Sequence, residues 1–236
     1  MIDPTAPSST TEPAAAPAPH IGTLNEGSLH AALKTHYARP GDRFEVPLRG
    51  FVIDIERGDQ LIEIQTGSFG AMGNKLDRLL GDHRVLLVYP VAVETRLVRP
   101  DTRPRRSPKR GSVYQLFDEL VSIPTLIDHP NLTLDVALVK IDRVQRHDPR
   151  ARRGRGGYRT VDKVLTELVG VERFDTVDDL RRLLPLDLPE EFTTADLAAG
   201  GGFDRASAQK MAYCFVPLGV FEQIGRTRAG YHYRLR

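Results

Sequence analysis

A single cysteine, Cys214, is all the thiol the chain contains, so no intramolecular disulfide can form and a reducing compartment fits. One Cys and seven scattered His cannot supply the ligand spacing of a structural zinc site. Cys214 lies in an apolar helical run, where a small buried side chain is the expected role rather than a nucleophile. Long hydrophobic runs are also missing. No stretch approaches the length needed to cross a bilayer, which predicts no membrane partner. The start "MIDPTAPSSTTEPAAAPAPH" has neither the basic opening nor the apolar block of a secretory signal, so a cytoplasmic location is expected. Residues 1–20 read instead as a disordered Pro/Ala-rich tail. No period repeats along the chain.

What is present suits a globular protein: 236 residues, 40% apolar and 27% charged, enough for one large domain or two small ones. The net charge is only +2, but its distribution is uneven. Arg96 to Gly111 holds seven basic residues against Asp101, and Arg143 to Arg159 holds seven against Asp148. From Arg205 to the end there are six against Glu222, whereas residues 21–95 carry eight basic and ten acidic. One Arg-rich run is ordinary solvated surface, but three around a mildly acidic core point to a polyanion gathered about a cation site.

The pattern of elements predicts a mixed α/β (α+β) fold. Residues 24–38 place Leu29, Ala32, Leu33 and Tyr37 on one helical face, with Asn25 as cap and Arg39-Pro40-Gly41 as stop. Three β-prone runs follow, Phe44–Leu48, Phe51–Glu56 and Gln60–Thr66, separated by tight-turn chemistry at Arg49-Gly50 and Arg57-Gly58-Asp59. A helix over Gly70–Leu80 and a buried apolar strand over 83–93 complete an α-β-β-β-α-β order, with the last strand parallel to the third. A helix over 112–129 broken near Pro124 and a strand over 132–144 come next. The Arg/Gly-rich segment 149–160 reads as a linker. Beyond it, helices are expected at Val161–Val169, Thr176–Leu183, Thr194–Ala199 and Arg205–Leu218, then a basic hairpin. Helix, turn, helix and hairpin is the outline of a winged helix, whose second helix enters the major groove while the hairpin grips phosphate. The last helix contributes Gln209 and Lys210 as groove contacts, with Met211, Tyr213 and Phe215 as core, and the hairpin turn contributes Arg226 and Arg228.

Two acids stand out because they interrupt apolar strands: Asp54 in Val52-Ile53-Asp54-Ile55 and Glu63 in Leu61-Ile62-Glu63-Ile64-Gln65. A buried, unpaired carboxylate costs several kcal/mol or takes up a proton. A shared cation would offset that cost. Strand alternation puts Glu63 and Gln65 on one face, and Asp54 meets Glu63 if the hairpin pairs in register. Two carboxylates and a backbone carbonyl suit Mg²⁺ or Mn²⁺. The plain alternative is an exposed strand face where both acids meet water.

With an acid in the first helix, one in the second strand and Glu-x-Gln in the third, this order resembles the PD-(D/E)xK nuclease superfamily. "LIEIQTGSFG" is most similar to the Glu-x-Gln variant of CoiA-type competence nucleases. The resemblance covers roughly residues 22–95, about a third of the chain. It implies a restriction-endonuclease-like core over 21–148 and a winged-helix domain over 161–236. Asp54, Glu63 and the Ile64 carbonyl would then be metal ligands, Gln65 would take the place of the usual Lys, and Glu26 would be the acid of the leading helix. Gln brings no positive charge, which Lys75 on the next helix can supply unless it faces the surface. His30, one turn after Glu26, is near enough to reach the site, although a lone His is more often incidental. The strand before Asp54 lacks the Pro of the family's name.

Arg105, Arg106, Lys109 and Arg110, with Arg152, Arg153 and Arg155, are the expected phosphate contacts. Two functions follow: a metal-dependent DNA endonuclease, or an inactive, nuclease-derived DNA-binding regulatory protein. RNA is not excluded as a substrate. Cutting both strands calls for two sites and hence a symmetric homodimer.

Overall fold

The computed structural model describes residues 27–100, 102–150, 157–228 and 230–236. The 1–20 tail, the expected cap Asn25, Glu26, and Arg152, Arg153 and Arg155 all lie outside these.

Helix α1 (Ser28–Tyr37) buries Leu29, Leu33 and Lys34. Its first backbone N–H has no partner inside the helix and is taken by Asp162, 3.2 Å away across the fold. It ends at Ala38, two residues before Pro40. Strands β1 (Arg43–Leu48), β2 (Phe51–Arg57) and β3 (Gln60–Ile64) then pair as an antiparallel meander. Arg49 and Gly50 both have positive φ, 52° and 84°, the backbone of a tight hairpin turn whose twist matches its strands. The Ser68 hydroxyl accepts from the Gly70 N–H and opens a short turn into α2 (Gly73–Leu79), which buries Leu76 and Leu79. Strand β4 (Arg84–Arg99) returns parallel to β3, from Gln60↔Arg84 to Ile64↔Val88. The α-β-β-β-α-β order is therefore present.

Beyond it, β5 (Thr102–Arg106) folds back on β4. The helix expected over 112–129 is instead a 3-10 turn, α3 (Leu116–Leu120) and a second 3-10 turn at Leu126–Asp128. Strand β6 (Leu132–His147) lies parallel to β4, and β7 (Tyr158–Phe174) runs antiparallel to β6. The sheet has seven strands in the order β1-β2-β3-β4-β6-β7, with β5 attached to β4.

Strand β7 corrects the sequence reading. Val161–Val169, expected as a helix after a linker, is the middle of a sheet strand. The end of the expected linker 149–160 is accordingly part of β7, with Tyr158, Arg159 and Thr160 paired to β6 in the same sheet.

After Phe174 come α4 (Val177–Arg181), β8 (Phe192–Thr193), α5 (Thr194–Gly201), α6 (Arg205–Phe215), β9 (Phe221–Thr227) and β10 (Gly230–Leu235). Capping boxes at Thr176/Asp179 and Thr193/Asp196 and the Asp204 cap start the three helices. Gly202, at φ 65°, ends α5. The small sheet has the order β8-β10-β9.

Leu33, Ile55, Ile62, Val88 and Val139 form the core under α1. A larger core on the opposite face joins Ile53, Leu61, Leu76 and Phe117 to Met211, Phe215 and Phe221. Rings stack edge-on across it, Phe117 to Phe215 at 5.4 Å between centroids. Tyr213 is not part of this core but is 61% exposed. On a helix, residues four apart share a face and the residue midway between them points away. Cys214 is buried on α6, and burial pushes its thiol up to about 12, consistent with an inert core residue. Among the described residues no helix is long and apolar enough to cross a membrane.

Candidate active site

The β2–β3 hairpin sets the geometry. Its pairs run Arg57↔Gln60, Glu56↔Leu61 and Ile55↔Ile62, so the next step places Asp54 opposite Glu63. At that point the strands part. Instead of a ladder bond, Asp54 Oδ2 accepts the Ile64 backbone N–H at 2.7 Å. Ile53 packs in the larger core and Ile55 in the core under α1, so β2 turns over at Asp54. Across the β1–β2 pairing Glu45 sits opposite, with φ at 50°, a conformation that costs a non-glycine residue about 1–3 kcal/mol.

Two α1 side chains reach Asp54 from above. His30 Nε2 is 3.0 Å from Oδ1, and Lys34 Nζ is 3.9 Å from the same oxygen while also pairing with Glu45. Burial alone would raise the Asp54 carboxyl. The His30 contact, the Ile64 N–H and the Lys34 charge outweigh it and hold the group below its usual range.

Glu63 is buried at 6% exposure, and its environment differs from that of Asp54. Lys75 Nζ on α2 lies 2.7 Å from Glu63 Oε1, but its directed hydrogen bond goes to the Val52 carbonyl at 2.8 Å. The contact with Glu63 is a close, buried ion pair. Burial pushes the Glu63 carboxyl up; Lys75 pulls it down, Asp54 pushes it up again, and it settles at about 7. Two facing carboxylates with one ionised and one near neutrality are a recurrent device of acid-base and metal sites.

Gln65, directly after β3, donates through Nε2 to the Ser68 carbonyl at 2.7 Å, which ties it to the turn that follows. Among the described residues no three His, Cys, Asp or Glu side chains converge as metal ligands. The residues present still offer a hard cation oxygen ligands: the buried Glu63 carboxylate lies close enough to Asp54 for the two charges to interact, with Lys75 Nζ already on one side of Glu63 at 2.7 Å.

Sequence reasoning named Asp54, Glu63 and Gln65; the structure places Asp54 near Glu63, while Gln65 turns to the Ser68 carbonyl. That reasoning left Lys75 and His30 undecided, and the structure places both in contact with the acids. Lys34 was missed, although its position one turn after His30 on the buried face of α1 was a usable signal.

The basic residues divide by location. Arg105 and Arg106 are exposed on β5, where Arg106 pairs with Glu94. Lys109 and Arg110 follow in a loop that returns to β4 through Gly111 N–H to Ala92 O at 2.9 Å. A Cβ on Gly111 would meet Ala92 O at 2.6 Å, so only glycine allows this approach. Arg110 and Lys210 of α6 line one cavity of about 380 Å³, in which Lys210 pairs with Asp118 at 2.9 Å. Gln209 instead lines a groove of about 650 Å³ between α6 and the β9–β10 hairpin, along with Tyr213 and Tyr231. Arg226 stacks on the Tyr231 ring at 5.1 Å, and Arg228 lies in the hairpin turn.

Residues 27–175 match a family model described as "Domain of unknown function (DUF8091)". The chain is 36% identical over 190 residues to an "Uncharacterized protein" of Treponema pallidum (strain Nichols), covering 77% of this chain and 74% of that one. No solved structure matches it.

Proposed function

We propose that this chain, which belongs to the family described as "Domain of unknown function (DUF8091)", is a metal-dependent DNA endonuclease. The observation that carries this reading is the placement of Asp54 opposite Glu63 where β2 and β3 part, with Lys75 Nζ 2.7 Å from Glu63. Asp54, Glu63 and the Ile64 carbonyl would hold Mg²⁺ or Mn²⁺. When bound, such an ion supplies Lewis acidity and a water of lowered pKa. Lys75 brings the positive charge that Gln65 lacks, beside the phosphate or its attacking water. Gln65 orients by hydrogen bonding, and His30 fixes the Asp54 carboxylate. This supports a PD-(D/E)xK-like core whose charged Lys has moved from β3 to α2.

The C-terminal elements support a winged helix in the same reading. Helix α4, strand β8, helices α5 and α6, and the β9–β10 hairpin follow in that order, with β8 paired to β10. Gln209 faces the hairpin groove, and Arg226 and Arg228 occupy the wing. Lys210, held by Asp118, is the weakest of the groove contacts. A second copy of the chain would bring the second site that a double-strand cut requires.

One observation favours the other reading, an inactive DNA-binding protein built on such a core. Asp54 already has His30 and the Ile64 N–H, and Glu63 already has Lys75. Both acids are thus accommodated by protein groups.

The deciding experiment incubates plasmid, single-stranded DNA and RNA with the protein and Mg²⁺ or Mn²⁺, beside Glu63→Ala, with binding followed in the same samples. Metal-dependent cutting, lost in the variant while binding persists, is the expected result. Binding without cutting in either protein, on every substrate and with either metal, would sink the nuclease and leave the regulatory reading.

A further inference from the structure

Beyond the end of β3 the sheet has a gap. Strand β3 stops at Ile64 while its parallel neighbour β4 continues to Arg99. Among the described residues, the edge of β4 from about Tyr89 to Val91 therefore has no strand beside it until the Gly111 loop arrives at Ala92. The opening forms a cavity of about 310 Å³. One wall is Thr66-Gly67-Ser68, the turn that Gln65 fixes, and another is α3 with Gln115 and Glu119.

Two cations line this cavity, Arg143 of β6 and Lys163 of β7, which are direct cross-strand partners. Arg143 Nε is buried and has no hydrogen-bond partner among the described residues. A buried N–H without an acceptor is costly, more so on a charged group, so it asks for a ligand. The one carboxylate in the lining, Glu119, already accepts the Phe69 N–H through Oε2 at 2.9 Å. An oxyanion from outside is what remains. A guanidinium fork with an ammonium beside it matches a phosphate in shape and charge.

We propose that this cavity is a phosphate subsite, in which Arg143 and Lys163 hold a backbone phosphate of the nucleic-acid strand lying across Asp54 and Glu63. The inference rests on the nuclease reading for its ligand, since the cavity opens beside the turn that follows Gln65. Arg143 pairs with Leu97 of β4 whereas Glu63 pairs with Leu87, so the Arg143 fork holds a phosphate further along the same strand and helps set its register.

The test is a binding titration in EDTA, with no cutting possible, using a fluorescent oligonucleotide and, separately, inorganic phosphate and a deoxynucleoside monophosphate. Wild type is compared with Arg143→Gln, Lys163→Ala and, as a control outside the cavity, Arg84→Gln, whose exposed guanidinium pairs with Asp59 at the start of β4, each checked for an unchanged circular dichroism spectrum. Arg143→Gln should weaken oligonucleotide binding at least tenfold and Lys163→Ala several-fold, while Arg84→Gln stays within twofold. Mononucleotide binding with the same Arg143 dependence supports the subsite; loss confined to inorganic phosphate would overturn it in favour of a free-anion site. Should Arg143→Gln fail to fold, Lys163→Ala, on an exposed edge strand, carries the test alone. Oligonucleotide binding indifferent to Arg143 and Lys163 would overturn the proposal even if the protein cuts. Arg143-dependent binding by a protein that never cuts would instead remove the nuclease and leave the subsite standing.

Discussion

Glu63 is where pH should act on this protein. Its carboxyl sits at about 7 when folded, chiefly through burial, against an ordinary 4.5. Between those values the folded state keeps a proton that the unfolded chain releases, so stability falls as pH rises through the window. Asp54, held low, has its effect below that window, where stability is lost only as pH drops further. Comparing wild type with Glu63→Gln in EDTA isolates the effect, because Gln mimics the protonated acid at every pH. The stability difference between the two should shift by on the order of 2–3 kcal/mol in favour of Gln from pH 5 to pH 8. Denaturant unfolding at both pH values measures it, and a pH-independent difference would show that Glu63 titrates normally. The acids themselves were legible because polar interruptions of apolar strands are costly without a reason. Their partners were less so. Lys75 sits between the buried positions Met72 and Leu79 on the flank of α2, where a long stem runs along the apolar face before its charge emerges, and sequence spacing alone leaves its direction open.

Strand β7 shows how an element can carry the wrong period. Its apolar residues Val161, Val164, Leu165, Leu168 and Val169 fall at the spacing of a helix face. Pairing with β6 skips Val161, Thr166 and Val169, each an extra residue in the ladder. Every such bulge shifts the alternation by one, so Leu165 and Leu168 both reach the core under α1 although they are three apart. Alternation in β2 and β3 is kept up to Asp54, and those strands could be read directly. What fixes β7 in place is also invisible to local pattern. Asp135 on β6, 1% exposed, takes Arg173 of β7 at 2.8 and 2.9 Å and Tyr37 of α1 at 3.0 Å. Removing Arg173 leaves that buried carboxylate with Tyr37 alone. Arg173→Ala should cost about 2–3 kcal/mol, toward the low end of buried-pair losses because the guanidinium is half exposed. Adding Asp135→Asn should recover part of the loss in a double-mutant cycle. A cost under about 0.5 kcal/mol in denaturant unfolding would show that the network does not hold the strand.

The family match ends at residue 175 and the large sheet at Phe174, which invites a division of the chain there. The core argues otherwise. Phe174 belongs to the same buried cluster as Phe117, Phe192, Phe215 and Phe221, so the C-terminal helices complete the face that α2 and α3 begin. Lys210 of α6 also reaches Asp118 of α3. The arrangement matters for function, because it brings Arg110 beside α6 while Gln115 lines both that cavity and the gap next to Gln65. Such an assembly was out of reach of the sequence, which gives charge by position along the chain but not which runs converge. If the two parts share one core, a chain ended after Asp175 leaves Phe117 and Phe174 uncovered. Losing several large side chains' contacts, at roughly 3–5 kcal/mol for each Phe, exceeds the margin of a typical domain. The truncated chain should therefore show no cooperative thermal transition and should aggregate, whereas the full chain melts in one step. A truncated chain that stays monomeric and melts cooperatively would mean that the sheet stands alone and that the C-terminal helices are an attached module.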